Sequence, residues 1–182
     1  GASAFVGFAG ATSASDENKD LAIVTIKNSY VGANVTLKGN DVGAFRGGTK
    51  GSTTSIVNCY SLARLEGAST EGLVGNVWNG TVAVNYAYNA NGAVSSEKWL
   101  PYFSIANTYA TDCGAYTSEV VQLTTDNMQG LDVFTNDNKM PKLNKEEAFV
   151  ETEGYPVLKV FTDLTDDEEG SDSSEETPDY VW

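Results

Sequence analysis

Histidine is absent from this chain of 182 residues. Its absence removes the commonest general base and the commonest metal ligand. Ser–His and Cys–His nucleophile pairs are excluded, as are zinc and haem sites that rely on imidazole. Cysteine is scarce. Only Cys59 and Cys113 occur, so the chain is no disulfide-dense scaffold. Cys59 reads as a small buried hydrophobe, and a Cys59–Cys113 bridge is the alternative. No apolar run approaches the roughly 18 residues that a membrane helix needs. Basic residues are few, 11 against 25 acids, for a net charge of −14. There is thus no basic footprint for nucleic acid or anionic lipid. Strong helix text is missing from residues 1–120.

The negative charge is uneven. Nine acids and no base fall in residues 163–182, which leaves 16 acids and 11 bases in residues 1–162. The stretch 163–182 is acidic, Ser-rich and poor in apolar residues, and cannot bury enough surface to offset its ordering entropy. It is expected to be an acidic disordered linker or tail. No targeting segment is visible and the first residue is Gly1, which suggests a piece of a longer polypeptide.

Short β-branched runs fill the rest. Strands are expected over 3–9, 22–31, 33–38, 42–46, 55–65, 72–77 and 81–88. Gly39-Asn40, Gly47–Gly51, Asn79-Gly80 and 89–92 separate them as corners, because Gly and Asn tolerate positive φ. The same text recurs. Ala44-Phe45-Arg46-Gly47 followed by Asn58-Cys59-Tyr60 is echoed by Gly72-Leu73-Val74-Gly75 followed by Asn85-Tyr86. Fainter echoes are Thr25-Ile26-Lys27-Asn28-Ser29-Tyr30 and Ser104-Ile105-Ala106-Asn107-Thr108-Tyr109. The Asn positions step from 28 to 58, 85 and 107, gaps of 30, 27 and 22. Periods of this length mark stacked repeats.

The fold expected is all-β: a short parallel β-helix (β-solenoid) over residues 1–118, with a small mixed C-terminal cap over 119–162 in the same domain. A β-sandwich is the alternative, since it too strings short strands between turns. Within a solenoid Ile56, Val84 and Ile105 would stack inward. Asn28, Asn58, Asn85 and Asn107 would form an amide ladder at one corner, a structural role. In the cap, a helix is expected from Leu123 to about Gly130, another at Lys145–Val150, and a strand at Val157–Phe161, the whole closing an open sheet end.

Gly72-Leu73-Val74-Gly75 and Asn58-Cys59-Tyr60, with Leu123–Met128 and Gly154–Lys159 further on, resemble the GLUG-motif repeat family of bacterial surface and adhesin proteins. The likeness covers about residues 3–161. Two departures stand out: Ala44 replaces the leading Gly of the first copy, and the Gly text is lost near 99–103. The resemblance implies an extracellular repeat module of large adhesins or cell-wall proteins, and implies no activity.

Chemistry-bearing patterns are weak. Asp16, Glu17, Asp20, Asp41, Glu66, Glu71, Glu97, Asp112 and Glu119 sit in no motif, so a glycan-cleaving carboxylate pair is not singled out. No phosphate loop is present, because Gly47-Gly48-Thr49-Lys50-Gly51 lacks the spacing. No cofactor is expected. Calcium at a loop stays open, without ligands to name. Aromatic residues are the one candidate set. Trp78, Trp99, Tyr102, Tyr86 and Tyr88 could stack on sugar rings or fill the core. Trp78 before a turn and Trp99 at the start of an irregular stretch are the expected exposed pair.

Two functions follow as expectations. The first is a non-catalytic extracellular module of a larger bacterial surface protein, in adhesion or as a spacer. The second is a carbohydrate-binding module linked to an enzyme or scaffold. The partners expected are a host or environmental glycan, a surface protein, and neighbouring domains of the same polypeptide. Neither nucleic acid nor membrane insertion is expected.

Overall fold

The structure, a computed structural model, describes residues 2–7, 9–10, 22–78, 80–110, 120–122, 148–150 and 155–162. It is all-β, with two parallel sheets and one small antiparallel pair. The strands are β1 (Ala9–Gly10), β2 (Ala22–Val31), β3 (Thr36–Lys50), β4 (Ser52–Ser61), β5 (Arg64–Trp78) and β6 (Thr81–Asn89). A 3₁₀ helix (Glu97–Tyr102) precedes β7 (Phe103–Ala110), β8 (Val120–Gln122), β9 (Phe149–Val150), β10 (Val157–Leu158) and a short helix α1 (Lys159–Thr162). One sheet runs β2-β4-β6-β7-β8, the other β1-β3-β5, and β9 pairs with β10. From β1 to β6 the chain alternates between the two parallel sheets, so strands adjacent in sequence are not sheet neighbours.

Register is set by the core. Ile26 pairs with Ile56, Ile56 with Val84, and Val84 with Ile105. The first three are buried and Ile105 is partly so. Slipping any strand by one residue would turn this apolar row outward. From the other sheet Ala44, Phe45, Leu73, Val74 and Val77 fill the same core. Phe5 stacks on Phe45, with ring centroids 5.5 Å apart.

Several glycines read as corners lie inside strands instead. Gly39 pairs with Gly67 within β3 and β5, and Gly47 to Lys50 continue β3. The reason is close approach. A Cβ on Gly75 would meet the Gly47 carbonyl oxygen at 1.8 Å. Only glycine lets two backbones meet this tightly. A true corner falls at Gly51, with φ of 55°.

A second core lies on the outward side of the five-stranded sheet. Tyr30, Tyr60, Tyr88 and Tyr109 occupy one register column. Tyr30 and Tyr60 stack at 5.1 Å with planes 10° apart. Phe149 of β9 packs against Tyr30 and Tyr60, and Tyr155 against Tyr60 and Tyr88. The Tyr60 hydroxyl donates to the Pro156 carbonyl.

These positions correct three expectations about the C-terminal third. Residues 149–150 form a strand, not part of a helix, because β9 pairs antiparallel with β10. The strand expected to Phe161 ends at Leu158, and α1 follows. Of the expected cap, residues 120–122 add β8 to the edge of the five-stranded sheet, while 148–149, 155 and 158 pack along the tyrosine column. The parallel sheet also passes residue 118, since β8 pairs with β7. The helix expected from Leu123, Cys113 and the acidic stretch 163–182 lie outside the described residues.

Candidate functional site

Trp78, Trp99 and Tyr102 meet at one corner. Trp78 is the last residue of β5, and the 3₁₀ helix brings Trp99 and Tyr102 to it. Pro101 inside that short helix suits a tight segment without a long hydrogen-bond ladder. The Trp78 and Trp99 rings sit edge to face, with centroids 6.1 Å apart and planes at 75°. Trp99 and Tyr102 are also 6.1 Å apart, tilted by 53°. Such pairs contribute about 0.5–1.5 kcal/mol beyond area burial. The Lys98 ammonium lies 4.3 Å from the Trp99 ring centroid, a cation–π contact.

The five aromatic candidates therefore divide. Trp78 is 41% exposed and offers a ring to solvent. Trp99 is only 4% exposed, which corrects its expected exposure: its ring supports Trp78 from beneath and packs in the main core. Tyr102 is half-buried beside it. Tyr88 is fully buried under Tyr155, so no sugar can reach its face. Burial and the adjacent Tyr155 raise its pKa. Tyr86 is half-buried, on β6 with Tyr88.

The asparagine row is real in part. The Asn58 side chain donates to Asn28 Oδ1 at 2.7 Å. Both residues have positive φ, 50° and 55°. Asn85 does not continue the row. It pairs with Val57, one place earlier, and Tyr86 takes the slot opposite Asn58 with φ of 51°. The core-facing Ile56–Val84 pair fixes that register, and it overrides the likeness of the letters. Residue 107 falls opposite Tyr86 by register. Gly72 pairs with Gly43, and Gly75 lies over Gly47. Gly72 has φ of 102°, and a Cβ there would strike the Ala93 carbonyl at 2.3 Å.

Sequence reading missed Arg46. It is fully buried, yet it stands in apolar text beside Phe45. Its guanidinium donates to the Gly48 carbonyl at 3.2 Å, to Ser52 Oγ at 2.8 Å and to Thr54 Oγ1. Burial lowers its pKa to about 10. The only hint was a run of hydroxyls, Thr49, Ser52 and Thr54, at alternate or near-alternate positions. Cys59, on β4 of the five-stranded sheet, is a free thiol buried in the main core. Burial pushes its pKa up to about 12, which makes it a poor nucleophile. Among the described residues no group of three or more His, Cys, Asp or Glu gathers to hold a metal ion. None of the described helices is long and apolar enough to cross a membrane.

Scans against protein-family models, curated proteins and solved structures find no match to this chain.

Proposed function

We propose that this chain is a short β-solenoid of the kind found in GLUG-motif surface proteins, acting as a non-catalytic extracellular module of a larger bacterial surface protein. The carrying observation is parallel pairing of like with like: Ile26, Ile56 and Val84 on one sheet, Gly47 and Gly75 on the other. A Greek-key sandwich would pair neighbouring strands antiparallel. In a solenoid each repeat buries its faces on the next, so the fold is a rod suited to adhesion or spacing. The test is a binding assay of the chain on protein-coated and polysaccharide-coated surfaces, with the soluble fraction checked for glycan fragments. Retention without fragments is expected. Release of fragments would overturn the non-catalytic reading.

A second reading, a carbohydrate-binding module linked to an enzyme or scaffold, is favoured by one observation. Trp78 presents a ring that meets Trp99, which in turn packs against Tyr102. Pull-down on insoluble polysaccharides tests it. Retention that disappears in Trp78→Ala supports sugar binding. Retention on protein surfaces alone returns the chain to adhesion.

A further inference from the structure

We infer that the Trp78 corner takes an acidic sugar, a uronic-acid unit of a glycan; this rests on the sugar-binding reading of the same corner. The argument begins with charge. The chain carries more than twice as many acids as bases, yet two lysines lie by the exposed Trp78 and its neighbour Trp99. Lys50 is the strand partner of Trp78 in the β3–β5 pairing. Paired residues of parallel strands leave the sheet on the same side, so the Lys50 stem runs beside the indole. Lys98 is exposed and holds its ammonium over Trp99, the ring that meets Trp78. Between Glu71 and Asp112 the chain has one acid, Glu97, and one base, Lys98. That stretch, which carries Trp78 and Trp99, is therefore neutral overall in a strongly acidic chain.

Hydrogen bonding supplies an independent observation. Trp99 Nε1 and Ser95 Oγ are buried without a partner among the described residues, and Ser96 Oγ likewise. All three belong to the segment that delivers Trp99 to the corner. A buried donor without an acceptor carries a penalty of about 1–3 kcal/mol. These atoms are closed to solvent, so an outside acceptor reaches them only if the segment around Trp99 opens. Two parts of a uronic unit then have counterparts: the apolar ring face meets Trp78, and the carboxylate meets Lys50 and Lys98. A neutral sugar would leave both ammonium groups unanswered.

The test uses the full chain with a short oligouronide and a neutral glucan oligomer of equal length, followed by calorimetry and by the indole N–H signals in a ¹⁵N spectrum. The oligouronide is expected to bind at least about tenfold more tightly, about 1.4 kcal/mol, and to weaken as salt is raised. The indole signals of Trp78 and Trp99 should shift on binding. The double variant Lys50→Gln/Lys98→Gln, changed only at polar surface positions, should lose the preference for acid while still binding the glucan. Equal affinity for both oligomers in the unaltered chain would overturn the acidic assignment and leave sugar binding standing. Oligouronide binding unchanged in Trp78→Ala, or without a shift of the Trp78 signal, would overturn the site. No binding to either oligomer would overturn the sugar reading with it.

Discussion

Asn58 carries more of the architecture than its size suggests. It holds a left-handed backbone angle, which asparagine tolerates better than most residues. Its amide nitrogen bonds the asparagine on one side, while its buried Oδ1 has no partner among the described residues. Tyr86 faces it across β6, with the same positive φ and no amide to offer. Tyr86→Asn should therefore extend the row and relieve the backbone. A gain of about 0.5–1.5 kcal/mol is expected from one added hydrogen bond, read as a rise in Tm of about 2–4 °C per kcal/mol. A fall in Tm would show that the tyrosine ring itself holds the corner. Arg46 is the opposite case, a buried charge that donates to the oxygens of Gly48, Ser52 and Thr54. Arg46→Ala would open a cavity and strip Ser52 and Thr54 of their donor, with an expected loss of about 3–5 kcal/mol. Arg46→Met refills the stem volume and should recover part of it. Urea midpoints of the two variants separate packing from polar satisfaction. Equal losses would assign the whole effect to the guanidinium.

The tyrosine column under β9, β10 and α1 is an element with its own pH response. Burial, with neighbouring tyrosines, raises the pKa of Tyr60 and Tyr88 well above the usual value near 10. The folded state thus prefers both phenols neutral. That preference contributes fully below pH about 10 and is lost as pH climbs toward the raised folded values. Urea midpoints should be level up to pH about 9 and fall steeply above pH about 10. The part of the tyrosinate absorbance that belongs to Tyr60 and Tyr88 should appear only as strand signal is lost. Titration of every tyrosine near pH 10 with the strands intact would contradict the packing of this column. The column was only half legible in sequence. Tyr30, Tyr60 and Tyr109 recur at one place in the repeat, but nothing in the letters says what covers them. Burial of a tyrosine by a segment almost a hundred residues away is a tertiary fact, and local patterning does not encode it.

At the scale of the whole molecule, strand text was readable because β-branched residues alternate at Ile26, Ile56, Val84 and Ile105, and that row became the core. Glycine was misread. It signals a turn by its φ freedom, but Gly47 and Gly75 serve close backbone contact inside strands, and composition does not distinguish the two uses. The asparagine row slipped by one at Asn85, because text alignment followed the letters and the fold followed the apolar face. The aromatic corner was legible as a set of residues and not as a shape. Trp78, Trp99 and Tyr102 come together through a 3₁₀ turn that no periodicity announces, while Tyr88 went to the second core. Both proposed functions depend on parallel strands stacked residue over residue. The most direct test is a set of interstrand backbone NOEs in the labelled protein. Stacked repeats predict parallel-sheet contacts between the Ile26 and Ile56 segments and again between the Ile56 and Val84 segments, in the register of those pairs. Antiparallel contacts between β4 and β5, strands adjacent in the chain, would contradict them and the proposed solenoid with them.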